Sequence, residues 1–362
     1  MIKIKKITDI KEFHKLKDTW NNLLSSSTDN HIHLTHEWCS IWLEVYGKGM
    51  NLFILIAEDE TGITGIAPLV IRKVGAFYKN SFKFRQIIFI GSGFTDRSDF
   101  IISKNNETTG SAFLEYIFQH NHEWDELYLW QLNSGTKNFK LFENLSALNS
   151  EYETVFKKTV TTPFLKIEDD FELYLKNRAK LFRKQLRMYK NNLTADGKNL
   201  EFQVVTEIRE EHIDLIRKMA DYRREICDRR NIFLEEKKLE FIRKMIPIFN
   251  EKKYLILFLL NVDGTFLSYD FTFSYNKVIY DWNTSYNPDY KKYSPGRLLN
   301  KFIIEYCFEN GYEFYDFMAG DEEYKMKWTK DFTENYSLKI QRKNIRTFIS
   351  RSYKDFKKLV KH

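Results

Sequence analysis

The sequence predicts a mixed α/β fold laid out as two consecutive blocks with a similar order of elements. Three observations predict it. Short runs of alternating apolar residues are interleaved with segments of helical periodicity. That pattern restarts near residue 160. A length of 362 residues is too great for one ordinary domain and about right for two. With 43% apolar residues and 31 Phe the chain can bury a sizeable core.

The first block begins with the alternating run Met1–Ile7, followed by a helix from about Ile10 to Leu24 that Ser25 to Asn30 breaks. A second helix starts after Thr35, whose hydroxyl can cap it, and stacks Trp38 on Trp42 one turn later. Leu52–Glu58 and Ile63–Arg72 alternate as strands around a Glu60-Thr61-Gly62 turn. Phe84–Ile90, Asp99–Ile102 and Leu127–Leu132 read as further strands, and Ser111–His120 as a helix.

In the second block Phe164–Ile167 is strand-like and one long basic helix is expected from Phe171 to about Leu193. A strand (Leu200–Thr206) and two helices (Glu211–Cys227, Glu235–Asn250) precede a three-strand meander over Tyr254–Asn261, Phe266–Tyr275 and Val278–Tyr286. The meander's tight turns fall at Asp263-Gly264 and Asn276-Lys277. A helix from Ser294, a strand at Phe314–Phe317, a short helix and a strand near Tyr336–Ile340 complete it.

Charge is uneven. Residues 1–160 carry 18 Lys/Arg against 19 Asp/Glu, whereas residues 161–362 carry 39 against 31. The excess lies in Lys176–Lys190, with seven basic residues and no acid, and in Lys339–Lys361, with nine basic residues opposed by Asp355 alone. Such surfaces favour anionic partners: a phosphate-bearing cofactor, nucleic acid or an acidic membrane surface. No recognised nucleic-acid-binding module accompanies these runs, so DNA is not expected as a partner, and peripheral membrane contact stays open. The longest apolar run, Tyr254–Leu260, is far too short to span a bilayer. The N-terminus has no secretory pattern, and a cytoplasmic protein is expected. Three widely spaced cysteines indicate neither a disulfide framework nor a metal site.

Ser294-Pro295-Gly296-Arg297 unites three helix-start preferences: a capping hydroxyl, a proline suited to the first helical position and a residue without a side chain. Read plainly, it is a well-capped helix. Read functionally, it is an anion site, since unpaired N–H groups and the positive end of the helix dipole hold phosphate. Arg297 in the first turn runs against the dipole's preference for acids there, a conflict that a bound anion resolves.

From this meander, through the Ser-Pro-Gly helix and Tyr315-Asp316-Phe317, to Gly320-Asp-Glu-Glu-Tyr324-Lys325-Met-Lys-Trp328, the chain resembles the CelD-like branch of the GNAT acyltransferases, which are related to the Fem-type transferases. Arg178–Leu193 and the stretch from His33 to Gly47 fit the same pattern. The resemblance implies two tandem GNAT-like domains: residues 1–160, without catalytic groups, and residues 161–362, with an acyl-CoA site. It implies no metal. The cofactor diphosphate would lie on Ser294, Pro295, Gly296 and Arg297, where a single glycine replaces the family's usual glycine-rich loop. Tyr324 takes the place of the acid that protonates the departing thiolate, and Lys325 beside it is a group to stabilise negative charge. Asp270, on the polar face of its strand, and Asp316 are the candidate bases. Arg183, Arg187 and Trp282 are the candidate substrate-binding groups. The implied reaction is N-acylation of a primary amine, by analogy that of an amino sugar or another precursor in polysaccharide or envelope synthesis. Two other readings remain: a Fem-like transferase using aminoacyl-tRNA, and a non-catalytic binding protein for phosphorylated sugars.

Two further patterns are discounted. Gly91-Ser92-Gly93 half-mimics a dinucleotide loop, but the third glycine is missing and a strand follows. His31, His33 and His36 are close in sequence, yet no second ligand cluster accompanies them.

Overall fold

The computed structural model describes residues 2–75, 83–104, 106, 108–147, 151–168, 170–227 and 231–343. The basic C-terminal run is described only as far as Lys343. The chain forms two compact units: residues up to Val160 together with those from Glu334 onward, and residues Thr161–Thr333.

In the first unit, β1 (Lys3–Ile7) leads into α1 (Ile10–Lys15), α2 (Lys17–Ser26) and α3 (His36–Tyr46). Strands β2 (Asn51–Leu52), β3 (Ile54–Asp59), β4 (Gly62–Ala67), β5 (Leu69–Gly75), β6 (Lys83–Phe89) and β7 (Ile101–Ile102) follow. Then come α4 (Thr109–Gln119), β8 (Glu126–Asn133), α5 (Phe139–Asn144) and β9 (Tyr152–Lys166). This unit's strands make one sheet ordered β1-β3-β4-β7, and in a larger sheet β8, β6, β5 and β2 follow in that order from β15 (Phe332–Arg342), the last strand among the described residues. Phe89, Phe100, Phe113, Trp124, Leu127 and Leu129 lie in the shared core. The expected cap is present, Thr35 Oγ1 accepting from Trp38 N at 3.3 Å, and Trp38 and Trp42 are both buried. The expected single helix from Ile10 is two helices that meet at Leu16. The expected strand Ile63–Arg72 is interrupted at Pro68, which cannot donate to a ladder.

The second unit contains α6 (Phe171–Lys176), α7 (Lys180–Ala195), β10 (Leu200–Val205), α8 (Glu210–Cys227) and α9 (Glu236–Glu251). The meander is β11 (Leu255–Val262), β12 (Thr265–Tyr275) and β13 (Val278–Tyr286), and α10 (Pro295–Glu309), β14 (Phe314–Asp316) and α11 (Lys325–Trp328) follow. Its strand order is β10-β11-β12-β13-β14-β9. Every residue of β11 is buried, as befits a strand with apolar cover on both faces. α10 puts Leu298, Leu299, Ile303, Ile304 and Cys307 into a core with Phe258, Leu267, Ile279 and Tyr315. The two units repeat one element order, a strand, helices, a meander, a helix and a strand, and the fold is mixed α/β in two consecutive units.

Two expectations change here. The long basic helix is broken into α6 and α7 across Asn177–Ala179. Tyr174 Oη (2.6 Å) and Arg178 Nη1 (2.9 Å) both donate to the Trp328 carbonyl, so tertiary bonds hold the bend where helical propensity alone would run on. The block expected to extend over 161–362 gives up its last strand. From Asn335↔Asn133 to Gln341↔Glu126, β15 pairs with β8 and so groups with the first unit.

Candidate active site

The site begins with strand geometry. β13 pairs in parallel with β14 only over Val278–Tyr280 opposite Phe314–Asp316. β14 ends there, while β13 runs on to Tyr286, and a register shift between Phe271 and Thr272 of β12 passes over Trp282. A bulge of this kind bends a strand and increases its twist. The distal half of β13 is thus paired on its β12 side, with no β14 residue opposite on the other. Beside it lies a cavity of about 360 Å³ lined by Thr284, Ser285 and Tyr286, by Lys291 and Ser294–Arg297, and by Asn300, Glu322 and Tyr324.

α10 opens into this cavity. The sequence predicted a hydroxyl cap, but Ser294 makes no side-chain cap bond and sits in the left-handed region at φ 50, ψ 56. Its backbone N–H is spent on Lys291 O (3.0 Å), and the Arg297 N–H is turned back to Ser294 O (3.0 Å). Leu298 N also donates to Ser294 O and Pro295 has no N–H, so among the described residues the tip's unbonded N–H is that of half-buried Gly296, which lines the cavity; a Cβ built on Gly296 would meet Tyr286 Cδ1 no closer than 3.7 Å. Lys291 and Arg297 add two cations to the same wall; Arg297 Nη1 donates to Tyr189 Oη at 3.1 Å.

Beneath the cavity runs a chain of buried polar groups. Asn300 Nδ2 donates to Tyr315 Oη at 3.3 Å, and Tyr315 Oη lies 3.2 Å from Asp281 Oδ2 and 3.4 Å from Asp270 Oδ2. Burial first, then the carboxylates of Asp281 and Asp270 and the phenol of Tyr324, push the Tyr315 hydroxyl well above its ordinary range. Tyr315 thus keeps its proton, which serves the two buried acids.

The expected residues distribute as follows. Ser294, Pro295, Gly296, Arg297 and Tyr324 meet on the cavity wall. Asp270 is fully buried behind Tyr315, and Asp316 accepts from Met318 N at 2.8 Å as a turn cap, so neither candidate base lines the cavity. Lys325 is buried too, ion-paired with Glu322 at 3.0 Å and donating to Ala319 O at 3.3 Å. Arg183 Nε donates to Arg178 O at 3.2 Å, Arg187 is exposed on α7, and Trp282 packs on Phe273 at 4.8 Å, so the structure does not bring these three to the cavity. Sequence reasoning missed Glu322, the cavity's carboxylate, and Asn300. A polar residue amid the apolar face of α10 was the available signal for Asn300.

Of the discounted patterns, Gly91–Thr95 forms turns, with Thr95 N donating to Gly91 O. His36 Nε2 is bonded to Phe13 O at 3.0 Å. Among the described residues no group of three His, Cys, Asp or Glu could hold a metal ion, and no helix is long and apolar enough to cross a membrane.

A strand meander thus runs into a helix whose tip lines a cavity beside the stretch of β13 that β14 does not reach, and the comparisons with known proteins bear on this region. Residues 180–326, which contain the whole cavity, match the family model described as acetyltransferase (GNAT) domain. No curated protein matches the chain. Among solved structures the chain is similar in fold to FemX, with a TM-score of 0.64, 12% identity, and 93% of this chain and 96% of that one covered. It is similar to a conserved protein of unknown function from Bacteroides thetaiotaomicron (0.55, 13%, 94% and 100%) and to L-PGS from Bacillus licheniformis (0.53, 11%, 96% and 96%).

Proposed function

We propose that the protein is an N-acyltransferase that moves an acyl group from an acyl-CoA to a primary amine. The observation that carries this reading is the tip of α10, without a side-chain cap, opening beside Lys291 and Arg297 onto the stretch of β13 that runs on past the end of β14. The Gly296 N–H, which no bond takes up among the described residues, together with the dipole and two cations suits a diphosphate. An extended arm bearing amides would lie along β13 beyond the end of β14, as an added strand does. A thioester would then lie near Asn300 and Tyr324 on the cavity wall.

The remaining groups supply the proton transfers. As the amine attacks the thioester carbonyl it must lose a proton, and Glu322, the carboxylate on the wall, is positioned to accept it with Lys325 holding its orientation. The collapsing intermediate expels a thiolate, to which the Tyr324 phenol gives a proton. Asp270 and Asp281 act at one remove, fixing Tyr315 and through it Asn300. The acceptor we favour is the amine of a sugar or of another envelope precursor, following the resemblance in sequence to CelD-like proteins.

Tyr324→Phe should lower kcat with acetyl-CoA by about 10²-fold or more and leave cofactor affinity nearly unchanged. An unchanged kcat removes Tyr324 as the acid. The likeness in fold to FemX keeps a second reading alive, in which the donor is an aminoacyl-tRNA. Retention on immobilised CoA, set against retention of aminoacyl-tRNA on a filter, separates the two: the proposed function requires the former.

A further inference from the structure

We propose that α7 is a docking element that seats the second unit on a membrane surface rich in anionic lipid. Between Glu172 and Asp196 the chain has no acid, and its cations are Lys176, Arg178, Lys180, Arg183, Lys184, Arg187 and Lys190. Packing decides which way they face. Phe182, Leu186 and Leu193 are buried in the core that also holds α10, with Phe182 edge-on to Trp328 at 4.8 Å. The bonds from Tyr174 and Arg178 to the Trp328 carbonyl fix the point where the helix starts. The opposite face is left to solvent.

That face is not an ordinary solvated one. Lys180, Lys184 and Arg187 are exposed on it and Lys190 at its border, and none of them takes part in an ion pair among the described residues. Leu181 is 67% exposed and Met188 44%. They stand seven residues apart, two turns along, and so lie one above the other amid the cations. Leu173, just before the helix, is exposed as well. α9 offers the contrast: its sequence mixes Glu236, Glu240 and Glu251 with Lys237, Lys238 and Arg243, as a face that meets only water does.

The chemistry selects the partner. A nucleic acid would use the cations and would want aromatic rings to stack on. It has no use for a leucine and a methionine held out between lysines. The headgroup layer of a bilayer uses both, since anionic headgroups meet the cations and the acyl boundary receives the aliphatic side chains. Long lysine stems let the charge stay at headgroup level while the helix settles.

The test is co-sedimentation of the full chain with vesicles of phosphatidylcholine alone or with about one third phosphatidylglycerol, at about 0.1 M salt. The expected result is binding to the anionic vesicles and not to the neutral ones. Leu181→Ser with Met188→Ser, which leaves every charge in place, should weaken binding at least about tenfold. Lys180→Glu with Lys184→Glu should weaken it more, since each cation near such a surface contributes about fivefold. All four positions are exposed, and an unchanged melting temperature confirms that each variant folds. No binding to anionic vesicles, or binding that the serine pair leaves intact, overturns the proposal. So does tRNA retention that outlasts vesicle binding at the same salt, is lost in the glutamate pair and survives in the serine pair; that result assigns the face to RNA.

Discussion

Gly320 stands at φ 142, and a Cβ built on it would fall 2.1 Å from Glu322 Oε2 and 2.8 Å from Lys325 Nζ. An alanine there must push the Glu322–Lys325 pair apart, and Glu322 lines the cavity. Gly320→Ala should therefore reduce turnover at least tenfold and cost about 1–2 kcal/mol of stability; wild-type kinetics in a folded variant would remove Glu322 from the reaction. Elsewhere, Asp99 of the first unit is buried, its Oδ1 accepting from Phe100 N and Asn138 Nδ2. Burial, with the charge of Asp29 behind it, pushes its carboxyl from 3.8 up to about 8. The folded state thus keeps a proton that the unfolded chain has already lost. The resulting stability is complete below about pH 4 and drains away as pH rises towards about 8, at up to roughly 1.4 kcal/mol per pH unit. Asp99→Asn carries no charge to bury, so its melting temperature should gain on the wild type steadily from pH 5 to pH 8. A difference independent of pH would contradict a buried, protonated Asp99. Neither residue stood out in the sequence, because a steric clash and a desolvated carboxyl both arise from neighbours distant along the chain or folded back upon it.

At the scale of the element, α10 was legible and its cap was not. Serine, proline and glycine before an apolar periodic run announce a helix start, and the helix runs from Pro295 to Glu309. The serine was read as a hydroxyl cap because that is its commonest role. The turn Pro288–Tyr293 delivers the chain to Ser294 in a left-handed conformation, which directs the hydroxyl elsewhere and leaves the tip open. Glycine tolerates that conformation best and a β-branched residue worst. Ser294→Gly should hold the denaturation midpoint near the wild-type value, whereas Ser294→Val should lose about 1–3 kcal/mol. Equal stability of the two would show that the left-handed turn does not form. The meander was equally plain, its strands marked by Asp263-Gly264 and Asn276-Lys277 at positive φ. The break between α6 and α7 was not, since the carbonyl that organises it belongs to Trp328.

At the scale of the molecule, two repeated α/β blocks could be read from element order and length. The return of β15 to the first unit could not. Alternation marks a strand without saying which sheet has a free edge, and the buried Asn335–Asn133 bond at 2.8 Å that anchors the pairing joins residues far apart in sequence. The same limit governed the site. Residues adjacent in sequence, Ser294 to Arg297, were found together, while Glu322 and Asn300 became visible only once β14 ended and the cavity opened beside β13. The central claim is that an acyl-CoA diphosphate rests on the tip of α10. Titration calorimetry of acetyl-CoA into the wild type and into Gly296→Glu tests it most directly. The account predicts saturable binding by the wild type and at least a tenfold loss in the variant, whose unliganded melting temperature stays the same. A wild type that takes up no acetyl-CoA, or a glutamate variant that binds it equally well, would contradict it.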